Sequence, residues 1–331
     1  MNAKKVAVLG SNSFSGSDFI DLLLSETDFE ILGISRSPEK PRWQLPYRER
    51  ASQNFKFIQA NIAREANVIL ARLKEFNPDF IVNFAAQSEV GPSWDHPDHW
   101  FDTNVTGLAT LIKGLQNQGY PDRYVHISSP EVYGTCLDPI KEDAEMRPST
   151  PYAVSKASAD MFLSVMHEHC RLPLVTVRST NVYGPYQQIF KIIPKSVICL
   201  KQGKTIPLHG GGQAIKSFIH IRDVNLGTLR IMTEGDVGNI YHLSPESGIS
   251  IRNIVGRICK LMGKDFATVT SATDERLAQD AAYVIDSTRA RQAFGWAPEI
   301  SLDEGLQHVI SWIDTNWLAI QAEPLDYVHK P

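Results

Sequence analysis

The stretch Lys5-Val-Ala-Val-Leu-Gly10-Ser-Asn-Ser13-Phe-Ser-Gly16 decides the fold class. Four apolar residues in a row, Val6 to Leu9, run straight into a glycine. A short unbroken apolar run closed by glycine reads as a strand buried on both faces, the mark of a parallel sheet. Gly10 and Gly16 have the outer spacing of a G-x-x-G-x-x-G loop. Such a loop turns the chain tightly from strand to helix, lets the backbone approach a pyrophosphate, and aims a helix N-terminus at it. Ser13 replaces the middle glycine, which weakens the match.

Outward from that loop, short apolar runs alternate with helix-length amphipathic stretches. Strands are expected over 5–9, 29–34, 55–59, 80–85, 124–128 and 174–178, with helices over 16–24, 65–75, 106–116 and 151–169. This alternation implies an α/β fold, a Rossmann-type doubly wound parallel sheet covered on both faces. Beyond Tyr183 the pattern loosens into Gly- and Pro-containing loops such as Tyr183-Gly-Pro-Tyr-Gln187 and His209-Gly-Gly-Gly-Gln213. The expected division is a cofactor-binding domain over 1–178 and a smaller α/β substrate-binding region over 179–331, interleaved with the first.

Composition excludes several classes. With 331 residues and 43% apolar content the chain can bury a real core. Lys plus Arg total 33 against 37 acidic residues, so no electrostatic case exists for nucleic acid or an anionic membrane. The four cysteines (Cys136, Cys170, Cys199, Cys259) form no C-x-x-C pair, and neither zinc nor a disulfide framework is expected. No 18-residue apolar run and no signal-peptide pattern is seen, so the expected compartment is the cytoplasm.

Three further segments carry chemistry. The second strand ends Ser35-Arg36-Ser37. An acidic residue there would accept hydrogen bonds from the adenosine ribose, whereas Arg36 suits a 2′-phosphate and favours NADP(H) over NAD(H). Tyr152-Ala-Val-Ser-Lys156 opens a helix and puts Tyr and Lys on one face. An ammonium beside the hydroxyl would lower the tyrosine's pKa and fit it for acid–base work. Upstream, His126-Ile-Ser-Ser129-Pro-Glu131-Val-Tyr133-Gly134 ends a strand in hydroxyls, with Glu131 a candidate base for a proton on carbon.

Taken with Asn83-Phe-Ala-Ala-Gln87-Ser88 and Arg178-Ser-Thr-Asn-Val-Tyr-Gly-Pro185, these motifs resemble the extended short-chain dehydrogenase/reductases of the NAD-dependent epimerase/dehydratase family. The chain looks most like the nucleotide-sugar 4,6-dehydratases of the GDP-mannose and dTDP-glucose type, over nearly its whole length. Gly210 to Asp223, 276–286 and Phe294 to Pro298 fit as well.

The resemblance implies a lyase of deoxysugar biosynthesis. Its partners would be a nucleotide-diphosphate sugar and a second copy of the chain, as a homodimer through helices 106–116 and 151–169. Its NADP, or alternatively NAD, would be tightly bound and recycled. Tyr152 would take the O4 proton as hydride leaves C4, with Ser129 on O4 and Lys156 on the cofactor ribose. Glu131 would then take the C5 proton. The implied cofactor set is Gly10, Asn12, Ser13, Phe14, Ser15, Gly16, Ser35, Arg36, Asn61, Ile62, Ala85, Ala86, Gln87 and Thr103, besides Tyr152 and Lys156. The implied substrate set is Ser88, Ser129, Asn181, Lys191, Ile192, Lys216 and Arg276, and no metal is expected.

The chain departs from the pattern at three positions. Pro130 stands where the dTDP-glucose enzymes carry the aspartate that protonates the departing C6 hydroxyl, although the GDP-mannose enzymes lack that aspartate too. Glu89 follows Ser88 where histidine is usual. Lys216 replaces an arginine and loses the bidentate grip on phosphate. The competing readings are 5,6-dehydration, a C4 epimerase, a uronate decarboxylase and a non-catalytic NAD(P)-binding protein. Glu131 speaks against the epimerase, and Tyr152, Lys156 and Glu131 together speak against the last.

Overall fold

The computed structural model describes residues 3–50, 53–274 and 282–330. In chain order the first strands are β1 Lys5–Leu9, β2 Glu30–Ser35, β3 Phe55–Gln59, β4 Phe80–Asn83, β5 Arg123–Ile127 and β6 Cys136–Ile140. Then come β7 Leu174–Ser179, β8 Asn181–Tyr183, β9 Ile206–His209, β10 Ile215–Lys216, β11 Phe218–His220 and β12 Ile240–Leu243. The main helices are α1 Phe14–Glu26, α2 Ala66–Phe76, α3 Pro97–Phe101, α4 Leu108–Gln118, α5 Pro151–Cys170, α6 Ile192–Lys201 and α7 Ile221–Glu234.

Seven strands form one sheet in the order β12-β7-β5-β4-β1-β2-β3, every neighbouring pair parallel. Strand β1 shows why. Val6 and Val8 belong to one core cluster and Ala7 and Leu9 to another, all at 2% exposure or less. Successive side chains point to opposite faces, and helices cover both. A full burial of this kind contributes roughly 1.5–3 kcal/mol per large aliphatic side chain. Val8→Asp would instead bury an unpaired carboxylate and break the sheet.

The chain winds outward from β1 to β3 and then crosses back to β4. The carboxyl ends of β1 and β4 are therefore the topological switch point, where doubly wound sheets bind ligands. Strand β12 lies beyond residue 178 and pairs with β7, and α7 packs on α1. A third core cluster around Ile193, Val197, Ile258 and Trp312 supports the remaining second-half elements. Among the described residues no helix is long and apolar enough to cross a membrane, and no cluster of His, Cys, Asp or Glu is arranged to hold a metal ion.

Candidate active site at the carboxyl ends of the sheet

A cavity of about 560 Å³ opens at the switch point. Its floor is the loop after β1. Gly10 adopts φ +82°, and a Cβ there would lie 2.7 Å from the Ala85 nitrogen. A Cβ at Gly16 would come within 2.4 Å of the Gly10 carbonyl oxygen. Both positions require glycine. Ser13 does not, because its backbone is extended (φ −72°); its hydroxyl caps α1 by accepting from the Gly16 N–H at 3.0 Å. The missing middle glycine is thus replaced by a helix cap, and the loop keeps the form that a pyrophosphate fits.

Gly10, Asn12, Ser13 and Phe14 line the cavity, while Ser15 and Gly16 lie behind in the first turn of α1. Ser35 and Arg36 line it from the end of β2, and Asn61 and Ile62 from the turn after β3. Ala85, Ala86, Gln87 and Ser88 line it from the loop after β4, and Thr103 from the helix opposite. That loop is held firmly. Asn104 accepts from the Gln87 N–H (2.8 Å) and donates to the Gln87 carbonyl (3.0 Å) and to Ser155 (2.9 Å). Asn104 and Thr103 sit in a π-helical segment, Asp102–Gly107, between α3 and α4. Such wide turns recur at functional sites, and no periodicity in the sequence signals this one.

The β2 end of the cavity is cationic. Arg36, Lys40 and Lys330 all line it. Burial, together with the charges of Lys330 and Arg36, pulls the Lys40 ammonium below its usual range. The carboxylate nearest in sequence, Glu39, accepts from the Tyr47 hydroxyl at 2.9 Å. Lys40 and Lys330 were not legible as site residues, because nothing at their positions marks them until the fold brings them beside Arg36.

The catalytic candidates stand at the ends of β5 and α5. Thr150 caps α5 by accepting from the Ala153 N–H (3.1 Å), and Pro151 fits the first helical position. Tyr152, Lys156 and Asp160 then follow at four-residue steps along one stripe. Ser129 caps the short turn Pro130–Tyr133 by accepting from the Glu131 N–H at 3.2 Å. The Ser129 side chain is near enough to the Tyr152 hydroxyl to favour its charged form, and the charge of Glu131 acts on the same hydroxyl in the opposite direction. Ser129, Glu131 and Tyr152 therefore converge, and none of these three, nor Lys156, lines the cavity itself.

One expectation is corrected. The Tyr152 hydroxyl is not held below its usual range, and the Lys156 ammonium donates to the Ile127 carbonyl at 2.8 Å. Burial first, then the charge of Glu131, push the Tyr152 hydroxyl well above its usual range. Burial likewise lowers Lys156 to about 8, opposed by Asp160 and assisted by Arg178. The cause in both cases is a dry site, which penalises any charged form.

Below these groups lies a buried network that sequence reasoning missed. Asp160 accepts from the Ser128 hydroxyl (2.6 Å) and twice from Arg178 (2.7 and 3.2 Å). Arg178 also donates to the Tyr133 hydroxyl, which is hydrogen-bonded to His242 at 2.8 Å. Asp160 lies one turn beyond Lys156, a spacing that could have identified it.

The substrate candidates are more dispersed. Ser88 lines the cavity, whereas Asn181 on β8, Lys191 and Ile192 at the start of α6, and Lys216 on β10 do not. Lys191 is paired with Glu89. Arg276 lies outside the described residues.

A doubly wound sheet with a glycine-loop cavity at its switch point, and a Ser–Tyr–Lys group beside it, defines an extended short-chain dehydrogenase/reductase. The chain belongs to the GDP-mannose 4,6-dehydratase family, whose model matches residues 8–309. Among relatives, it is 30% identical to a trifunctional UDP-glucose 4,6-dehydratase/UDP-4-keto-6-deoxy-D-glucose 3,5-epimerase/UDP-4-keto-L-rhamnose-reductase of Arabidopsis thaliana over 95% of its own length and 47% of that protein's. The chain thus spans about half the length of such relatives. A dTDP-glucose 4,6-dehydratase of Haemophilus influenzae is 26% identical over 93% of this chain and 97% of its own. The crystal structure of the Streptomyces venezuelae dTDP-glucose 4,6-dehydratase DesIV, with NAD bound, is similar at TM-score 0.90 and 29% identity, covering 97% of this chain and 100% of that one.

Proposed function

We propose that the chain is a nucleotide-sugar 4,6-dehydratase that converts a nucleotide-diphosphate hexose into its 4-keto-6-deoxy derivative. The observation that carries this reading is the placement of Glu131 beside the Ser129–Tyr152 hydroxyl pair. A bound nicotinamide dinucleotide would supply a hydride acceptor and donor. Gly10, Asn12, Ser13 and Phe14 fit its phosphates, and Lys156 its nicotinamide ribose. Tyr152 takes the proton of the sugar O4, oriented by Ser129, as C4 becomes a ketone. The ketone acidifies the C5 hydrogen, and Glu131 removes that proton. Pro130 has no proton to give, so Glu131 passes the same proton to the departing C6 hydroxyl, which leaves as water. As the hydride returns from a bound dinucleotide to C6, Glu131, re-protonated from solvent, gives a proton to C5 and Tyr152 releases the O4 proton it had taken. A carboxyl that both accepts and donates works best near neutrality, a condition that sugar binding promotes by excluding water.

The preferred cofactor in this reading is NADP(H), because three cations meet where the adenosine 2′-phosphate would lie, although related structures were solved with NAD bound. Val154, Met161 and Val165 form an exposed apolar stripe on α5, which supports self-association through that helix. The test is to incubate the protein with UDP-, GDP-, dTDP- and CDP-hexoses and assay for a 4-keto-6-deoxy sugar by its absorbance in alkali. A 4-keto-6-deoxy product supports the reading, and a C4 epimer or a decarboxylated sugar as sole product overturns it.

A further inference from the structure

The segment 323–330 reaches the cofactor cleft from outside the nucleotide-binding half of the chain. Glu323, Asp326, Tyr327 and Lys330 line the same cavity as Gly10 and Arg36. The segment is anchored at both ends. On one side Asp326 pairs with Lys195 of α6 (3.1 Å), and the Tyr327 ring meets Phe190 edge-on at 5.3 Å. On the other side the Lys330 carbonyl accepts from the Gln87 side chain at 2.8 Å. Between them His329 stacks on the fully buried Trp100 (5.3 Å) and on His96 (4.8 Å). Each of its ring nitrogens has a partner, His99 at 2.8 Å and the Tyr327 hydroxyl at 3.2 Å.

The exposed Asp326–Lys195 pair contributes little. The grip is at His329, where ring stacking on a buried tryptophan is joined by two hydrogen bonds. The segment does not fill the site. The phosphate-binding loop still faces about 560 Å³ of open space, a volume within the range of small-molecule and cofactor sites. The segment is therefore a wall of the cleft and not a plug in it.

We propose that 323–330 is a strap that closes over the bound dinucleotide, with His329 as its latch and Lys330 completing the cationic corner at the adenosine ribose. This rests on the dinucleotide reading above. It gives a physical means by which a cofactor that must be oxidised and reduced within one turnover stays in place between the two steps.

Hydrogen exchange of the protein tests it, with saturating NADP⁺ and NAD⁺ added separately and binding measured in parallel by calorimetry. The strap predicts that amides of 323–330 become more protected with whichever dinucleotide binds. It also predicts that His329→Ala releases that dinucleotide roughly tenfold faster in a chase experiment, the scale of one lost stacked and hydrogen-bonded contact. Binding with unchanged protection and an unchanged release rate overturns the strap and leaves the cofactor reading intact. Reduced protection on binding shows a competing plug, and also overturns it. Binding of neither dinucleotide overturns the cofactor reading itself, and the strap with it.

Discussion

Both carboxylate oxygens of Glu89 lie 2.8 Å from the ammonium nitrogen of Lys191. Glu89 stands where the resembling dehydratases carry histidine, and Lys191 is a candidate ligand of the substrate diphosphate. The pair therefore sets a carboxylate in competition with the phosphates for one cation. Glu89→Gln should release Lys191 and lower KM for the nucleotide sugar two- to fivefold, about 0.5–1 kcal/mol for a partly exposed pair. Steady-state kinetics at low salt reads this, and an unchanged or raised KM would show that Lys191 does not meet the substrate.

The cationic corner makes a cofactor prediction. Arg36→Ala should weaken NADP(H) binding by about 1–3 kcal/mol, the scale of a charge-assisted hydrogen bond, and leave NAD(H) binding nearly unchanged. Titration of both dinucleotides decides it. Equal loss of the two, or tighter binding of NAD(H) by the unaltered protein, would contradict the assignment.

Much of the fold was readable from the residues because the signals were local. Lys5–Leu9 and Phe55–Gln59 match their expected bounds, since each is an apolar-rich run ended by a turn residue or a break in pattern. The helix expected over 106–116 lies two residues further on, at Leu108–Gln118, because its π-helical entry, Asp102–Gly107, has no periodicity of its own. Tyr152 and Ser129 announced themselves through motif and strand end. Asp160, Lys40 and the 323–330 segment did not, because their meaning depends on contacts made across tens to hundreds of residues. The tyrosine's environment was misjudged for the same reason: sequence shows a lysine four residues away, and only the fold shows how completely both groups are buried.

Asp160 gives a stability prediction. It holds Arg178 and Ser128 in a site where both charged residues are almost fully buried. Asp160→Ala leaves an uncompensated guanidinium and should cost about 3–5 kcal/mol, read by denaturant unfolding. A loss below about 1 kcal/mol would show that the network is dispensable.

Lys156 gives a pH prediction. Its pKa is lowered from 10.5 to about 8, so the folded protein binds fewer protons than the unfolded chain between those values. The burial penalty on Lys156 is thus fully present below about pH 8 and is relieved as pH rises toward 10.5. The rate of cofactor reduction by substrate should fall above about pH 8 as the ammonium is lost, and Lys156→Met should lack that limb while being no less stable at pH 7. A limb that persists in the variant would assign it to another group.

The central claim is that Glu131 moves the C5 proton after C4 has been oxidised. The most direct measurement is turnover of Glu131→Gln and the unaltered protein in heavy water, with the bound cofactor followed spectroscopically and the sugar by mass spectrometry. The account predicts that the unaltered protein yields a 4-keto-6-deoxy sugar carrying solvent deuterium at C5. Glu131→Gln should still reduce the cofactor yet form no 6-deoxy product, its dehydration slowed by at least 10²-fold, the lower bound for positioned acid–base catalysis. Normal dehydration by Glu131→Gln, or a C4 epimer free of deuterium from the unaltered protein, would contradict it.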